Sequence, residues 1–236
     1  MSKMRWSVSL VVFSLFFITI NSADAATSRI GVLAIDNFLM GDVTIPVEVF
    51  GRAIKKEQFS SWEVIVISGS KKKEVIAEEG LKIIADKTIY DDMKLDVLIV
   101  PGAFKIDSFR ENKDLIGFIK KQSRSATWMV SNCAGAFLLG QAGVLDGKKA
   151  TTWFGGEKYL KEAFPKINVQ FDQNVVVDDK VITSNGSAVT YQATFELLAK
   201  LSSEKFANEI SGSLRFERLC RAFDTKKKEW KCSTDD

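Results

Sequence analysis

Short apolar runs rich in β-branched residues alternate along this chain with stretches of helical spacing. "RIGVLAI" (Arg29–Ile35), "WEVIVIS" (Trp62–Ser68), "LDVLIVPGA" (Leu95–Ala103) and "ATWMVS" (Ala126–Ser131) each have the length of a buried strand. Helical patterns fill the gaps. "VTIPVEVFGRAIKK" predicts a helix from about Thr44 to Lys56, with Pro46 near its start. "KDLIGFIKKQ", "AGAFLLGQAG", "GGEKYLKEAF", "TYQATFELLAKL" and "EKFANEIS" predict the later ones. "EVIA" and "LKIIA" read as a short strand pair bent at Glu79-Gly80, and "NVVVDDKVITS" as a hairpin turning at Asp178-Asp179.

Strands that alternate with helices predict an α/β fold: a three-layer sandwich with a mostly parallel central sheet covered on both faces. Such sheets bind ligands outside the carboxyl ends of their strands. That rule selects three loops, Asp36 to Asp42, Pro101 to Phe104 and Ser131 to Ala134.

Composition sharpens this picture at the chain ends. Lys3 and Arg5 precede an apolar run from Trp6 to Ile20, followed by Ala23-Asp24-Ala25. This is the layout of a secretory signal, and the run is short for a bilayer span of roughly 20 residues. The expected organisation is a signal peptide over residues 1–25, one domain over 26–213 and a charged tail over 214–236, in an exported protein, periplasmic or secreted. The net charge of +3 is too small to indicate a nucleic-acid partner. Neither a metal nor a cofactor is expected, and no stable membrane anchor after cleavage.

Export changes the reading of the three cysteines. Cys220 and Cys232 lie close together in the tail and are candidates for a disulfide. Cys133 is then the odd thiol, reactive or simply a small buried hydrophobe. It stands in "SNCAGAF", between a predicted strand and a predicted helix. A sharp turn there exposes the side chain at the top of the sheet, and Ala134, Gly135 and Ala136 permit the close packing that it demands. The helix N-terminus is expected to lower the thiol pKa. The N–H groups of Gly102, Ala103 and Ala134 are candidates for an oxyanion hole, unless Pro-Gly is only a loop signal. Asp42 is a candidate general acid; alternatively it is an exposed loop residue or a helix cap.

"GDVTIPVEVF", "LDVLIVPGA" and "SNCAGAFLLGQAGVLDGKKATT" resemble the ThiJ/PfpI superfamily, from about Arg29 to Ser213. The resemblance is strongest to isonitrile hydratase-like proteins and to the amidotransferase-like domains of AraC-type regulators. It implies a flavodoxin-like, class I glutamine amidotransferase-like fold and a homodimer. It also implies a nucleophile at Cys133, an acid at Asp42 and an oxyanion turn at Gly102 and Ala103. Three positions depart from the pattern. Ala103 stands where a second glycine is usual, Ala134 replaces a threonine common in the hydratase branch, and Trp153 stands where many members have histidine. With no histidine in the chain, Cys-His peptidase and glutamine amidotransferase chemistry are excluded. Trp153 and Thr152 are candidate pocket residues; Trp153 either stacks on a ligand or packs against the neighbouring helix.

Two functions of different class fit this sequence. One is a Cys/Asp-dependent hydratase, lyase or hydrolase acting on a small electrophile, isonitrile- or aldehyde-like. The other is a non-catalytic domain that binds a small molecule, or senses oxidants through a Cys133 sulfenic acid.

Overall fold

A computed structural model describes residues 27–216, 221–224 and 229–232. In chain order the elements are β1 (Ser28–Ala34), α1 (Met40–Ala53), β2 (Trp62–Ser68), β3 (Glu74–Ile76), β4 (Lys82–Ile84), β5 (Lys87–Thr88), β6 (Val97–Val100), α2 (Ile106–Arg110), α3 (Lys113–Ser123) and β7 (Trp128–Asn132). Then come α4 (Gly135–Gln141), β8 (Lys149–Ala150), α5 (Glu157–Ala163), β9 (Asn168–Val169), β10 (Val175–Asp178), β11 (Val181–Ser184), α6 (Val189–Leu201), α7 (Glu204–Ser213), β12 (Arg221–Asp224) and β13 (Glu229–Cys232).

Seven strands form the central sheet in the order β10-β11-β7-β6-β1-β2-β5. Every pairing in it is parallel except β10 with β11 at one edge. Helices α1, α6 and α7 pack together, as do α2, α3 and α4, so that the sheet lies between two helical layers. The central strands carry apolar runs because both faces of the sheet are covered. Val97 to Val100 are all buried, and Ile30, Val32 and Leu33 are fully so.

The structure moves several expected boundaries. Helix α1 begins at Met40, four residues before Thr44, and ends at Ala53. Asp42 is therefore in its first turn and wholly buried, not an exposed loop residue. Pro46 lies inside the helix rather than near its start. The β10–β11 hairpin turns at Asp179-Lys180, one residue later than expected, with Asp179 in the left-handed region at φ +53°. The two-residue strands and the five-residue α2 are too short to carry a periodic signal.

The expected signal segment, residues 1–25, lies outside the described residues, as does Cys220. Cys232 ends β13, whose backbone pairs it with Arg221. No helix among the described residues is long and apolar enough to cross a membrane.

Candidate functional site

The carboxyl ends of β6, β7 and β11 meet the start of α1, and Cys133 sits at that junction. Its φ is +50°, a conformation that costs a residue with a Cβ about 1–2 kcal/mol. Its surroundings fix it there. The Cys133 N–H donates to Ser184 O at 3.0 Å, and its carbonyl accepts from Thr152 Oγ1 at 2.9 Å. Small residues let the backbones converge. A Cβ at Gly135 would lie 2.4 Å from Val100 O, and one at Gly186 would lie 2.4 Å from Cys133 Cβ.

Asp42 is carried beside this elbow by α1. Its Oδ2 accepts the Gly102 N–H at 2.9 Å. Its Oδ1 accepts the Ser187 N–H at 3.0 Å and the Thr190 hydroxyl at 3.1 Å. Burial raises the carboxyl pKa to about 6; the three donors pull the other way and the nearby Glu79 charge adds to the rise. The Asp42 carbonyl has its own partner. Pro46, four residues on, has no N–H to give it, and Asn132 Nδ2 donates instead at 3.3 Å. Asn132 Oδ1 accepts from Ser184 Oγ at 2.7 Å, and Ser184 Oγ accepts the Gly186 N–H at 3.2 Å. A proline inside one helix is thus wired to the cysteine strand and to the loop after β11.

The electrostatics overturn the expected thiol. Burial, and then the Asp42 carboxylate, push the Cys133 pKa up to about 12; the Ala134 N–H acts in the opposite direction but does not prevail. Asp42 makes no hydrogen bond to the sulfur, because its oxygens are occupied by backbone and hydroxyl donors. The resting pair is therefore a neutral thiol beside a carboxylate near its titration point. The oxyanion set also shrinks. Gly102 gives its N–H to Asp42, while the Ala134 N–H acts on the Cys133 thiol and favours its ionised form. The Ala103 N–H has no hydrogen-bond partner among the described residues.

A cleft of about 790 Å³ opens above the elbow. Cys133, Ala103, Ala134, Gly186 and Ser187 line its base, and Leu39, Phe104, Ile106, Trp153, Phe154 and Val189 its walls. Trp153 packs against the neighbouring helix, stacking on Phe137 of α4 at 5.2 Å, and also lines the cleft. Thr152 is a correction: it is fully buried and braces the elbow carbonyl instead of lining the pocket. Sequence reasoning missed Asn185, Gly186, Ser187 and Thr190. For the first three the signal was "TSNGS" at the carboxyl end of a strand, which the same rule that selected the other loops covers; Thr190 follows in the first turn of α6. Glu79 was read only as a bend, yet it lines the cleft and its Oε2 accepts the Met40 N–H at 3.1 Å.

Fold and site together define a three-layer α/β protein with a cysteine on a strained strand-to-helix elbow. The family model described as DJ-1/PfpI matches residues 28–200, and the chain belongs to that family. Isonitrile hydratase of Pseudomonas putida is 28% identical over 159 residues, 67% of this chain and 65% of that protein. The HTH-type transcriptional regulator GbdR of Pseudomonas aeruginosa is 24% identical over 192 residues, 80% of this chain and 51% of that protein. The match thus spans less than two thirds of either relative's own length. In structure, a ThiJ/PfpI family protein from Pseudomonas syringae superposes with a TM-score of 0.71 at 22% identity, over 80% of this chain and 75% of that one.

Proposed function

We propose that this chain is an exported enzyme that uses Cys133 to hydrate, cleave or hydrolyse a small electrophile, isonitrile- or aldehyde-like. The observation that carries the reading is the pairing of a strained elbow cysteine at the floor of a cleft with a buried carboxyl of pKa about 6. Proton traffic without imidazole needs a group that both accepts and releases a proton near neutrality, and Asp42 has that property. For an isonitrile, the sulfur bonds to the terminal carbon as the S–H bond breaks. Asp42, once an oxygen is released from one of its three donors, relays the thiol proton to that carbon, giving a thioimidate. Water then adds to the same carbon, the C–S bond breaks, and an N-substituted formamide leaves with the thiol restored. The Ala103 N–H, which has no partner among the described residues, would stabilise charge on the reacting group. The isonitrile hydratase among the relatives supports this choice of electrophile.

One observation favours a second reading, ligand binding without turnover: a thiol pushed up to about 12 is almost wholly protonated at neutral pH. A screen of isonitriles, dicarbonyls and small amides separates the two. The enzyme reading expects formamide or hydrated product from the wild-type chain and a loss of at least about 100-fold in Cys133→Ser. Binding that shifts the melting temperature equally in both proteins, with no product from either, establishes the second reading instead.

A further inference from the structure

The charged inventory of the cleft is one-sided. Glu79 supplies its one carboxylate wall residue, and no lysine or arginine lines it among the described residues. Asn185 is fixed with Nδ2 donating to Thr152 O at 2.5 Å, which leaves its Oδ1 as an acceptor. Behind the floor lies a second carboxyl, Asp42. Three aromatic side chains complete the walls. Phe104 and Phe154 are 74% and 77% exposed and Trp153 is half-buried. Exposed rings of this size at a cleft mouth are surfaces for a ligand body. Aromatic faces also attract cations.

We propose that Glu79 is the specificity-determining residue of this cleft and that it selects molecules with a positively charged group on an apolar body over anionic ones. The proposal rests on the reading above only in that the cleft admits a small molecule to Cys133. The sign of the selection is local. The whole chain carries a net charge of +3, so its overall field favours anions, and a preference for cations has to come from the carboxylates at the site. Glu79 holds its place through the hydrogen bond from the Met40 N–H at 3.1 Å, at the first residue of the helix that carries Asp42. One hairpin turn therefore sets the charge at the mouth, while α1 sets the charge at the floor.

The test uses the full chain and three methanethiosulfonate reagents whose ethyl arms carry an ammonium, no charge or a sulfonate. Each forms a mixed disulfide with the thiol, releasing methanesulfinate. Rates at Cys133 are followed by peptide mass spectrometry, which separates it from Cys220 and Cys232, and each is divided by the rate for a small peptide thiol. The expected cation-to-anion ratio is about tenfold at low salt, falling as salt is added. Glu79→Gln keeps an oxygen for the Met40 N–H while removing the charge, and is expected to cut the ratio by about threefold or more. A ratio of one or below, or a ratio unchanged in Glu79→Gln, overturns the proposal. Should none of the three reagents reach Cys133, fluorescence titration with benzylammonium and benzoate decides instead. Tighter binding of benzylammonium, weakened in Glu79→Gln, supports the proposal; equal or tighter binding of benzoate overturns it. Turnover enters neither measurement, so failure of the proposed reaction leaves this result standing.

Discussion

The side chain that organises the site is Asp42. It is fully buried, accepts three hydrogen bonds and still titrates near pH 6 because burial outweighs those donors. A carboxyl whose folded pKa lies above its ordinary 3.8 binds more protons folded than unfolded between those values. Its stabilising contribution is present below pH 4 and is lost as pH rises through 6. Integrated across that window, the effect is about 3 kcal/mol. Between pH 4.5 and 7.5 the wild-type chain should lose about 2 kcal/mol more stability than Asp42→Asn, read from urea midpoints, because the other acids are common to both. Equal pH dependence in the two proteins would show that the carboxyl is not held as the structure places it. The same residue shows where local sequence is silent. "MGDVT" does not distinguish an exposed cap from a buried acid; the difference is made by Ser187 and Thr190, 145 and 148 positions away. The thiol pKa was misjudged for a related reason. A helix N-terminus is visible in the sequence, but the burial that chiefly raises the thiol pKa, with the Asp42 carboxylate adding to it, is not.

At the scale of elements, Pro46 explains both what was legible and what was not. Proline favours the first helical turn, so the sequence predicts a helix starting near Thr44. The helix starts earlier because the carbonyl that Pro46 leaves unpaired finds Asn132 on β7. Asn132→Ala should orphan that buried carbonyl and the Ser184 hydroxyl, at a cost of about 1–3 kcal/mol in a urea titration. In a Pro46→Ala background the helix supplies an N–H to the Asp42 carbonyl, and part of that loss should disappear. A double-mutant cycle with no coupling would remove Asn132 from this role. Strands β1, β2, β6 and β7 were readable because each lies in an apolar run bounded by turn or helix signals. Helix α2 and strands β5, β8 and β9 span two to five residues and are fixed by tertiary packing.

For the whole molecule, an α/β order with the reactive loops at one end of the sheet follows from the alternation of patterns, and the DJ-1/PfpI match over residues 28–200 agrees with it. If the chain is exported, as its first 25 residues imply, the protein meets an oxidising solvent with three cysteines. Cys133 lies at the cleft floor, half-buried. Position 232 is paired across the β12–β13 ladder with Arg221, the residue next to Cys220 in the chain. A Cys220–Cys232 disulfide would close a short loop around that hairpin and leave Cys133 as the one thiol for chemistry. Two numbers from one preparation test this. Protein recovered from the periplasm should have lost residues 1–25 from its 26.3 kDa intact mass and should show one free thiol after denaturation. Three free thiols on a cleaved chain would rule out the tail disulfide. An uncleaved chain retained in the cytosol would remove the premise for it, since the reducing interior would keep all three cysteines as thiols.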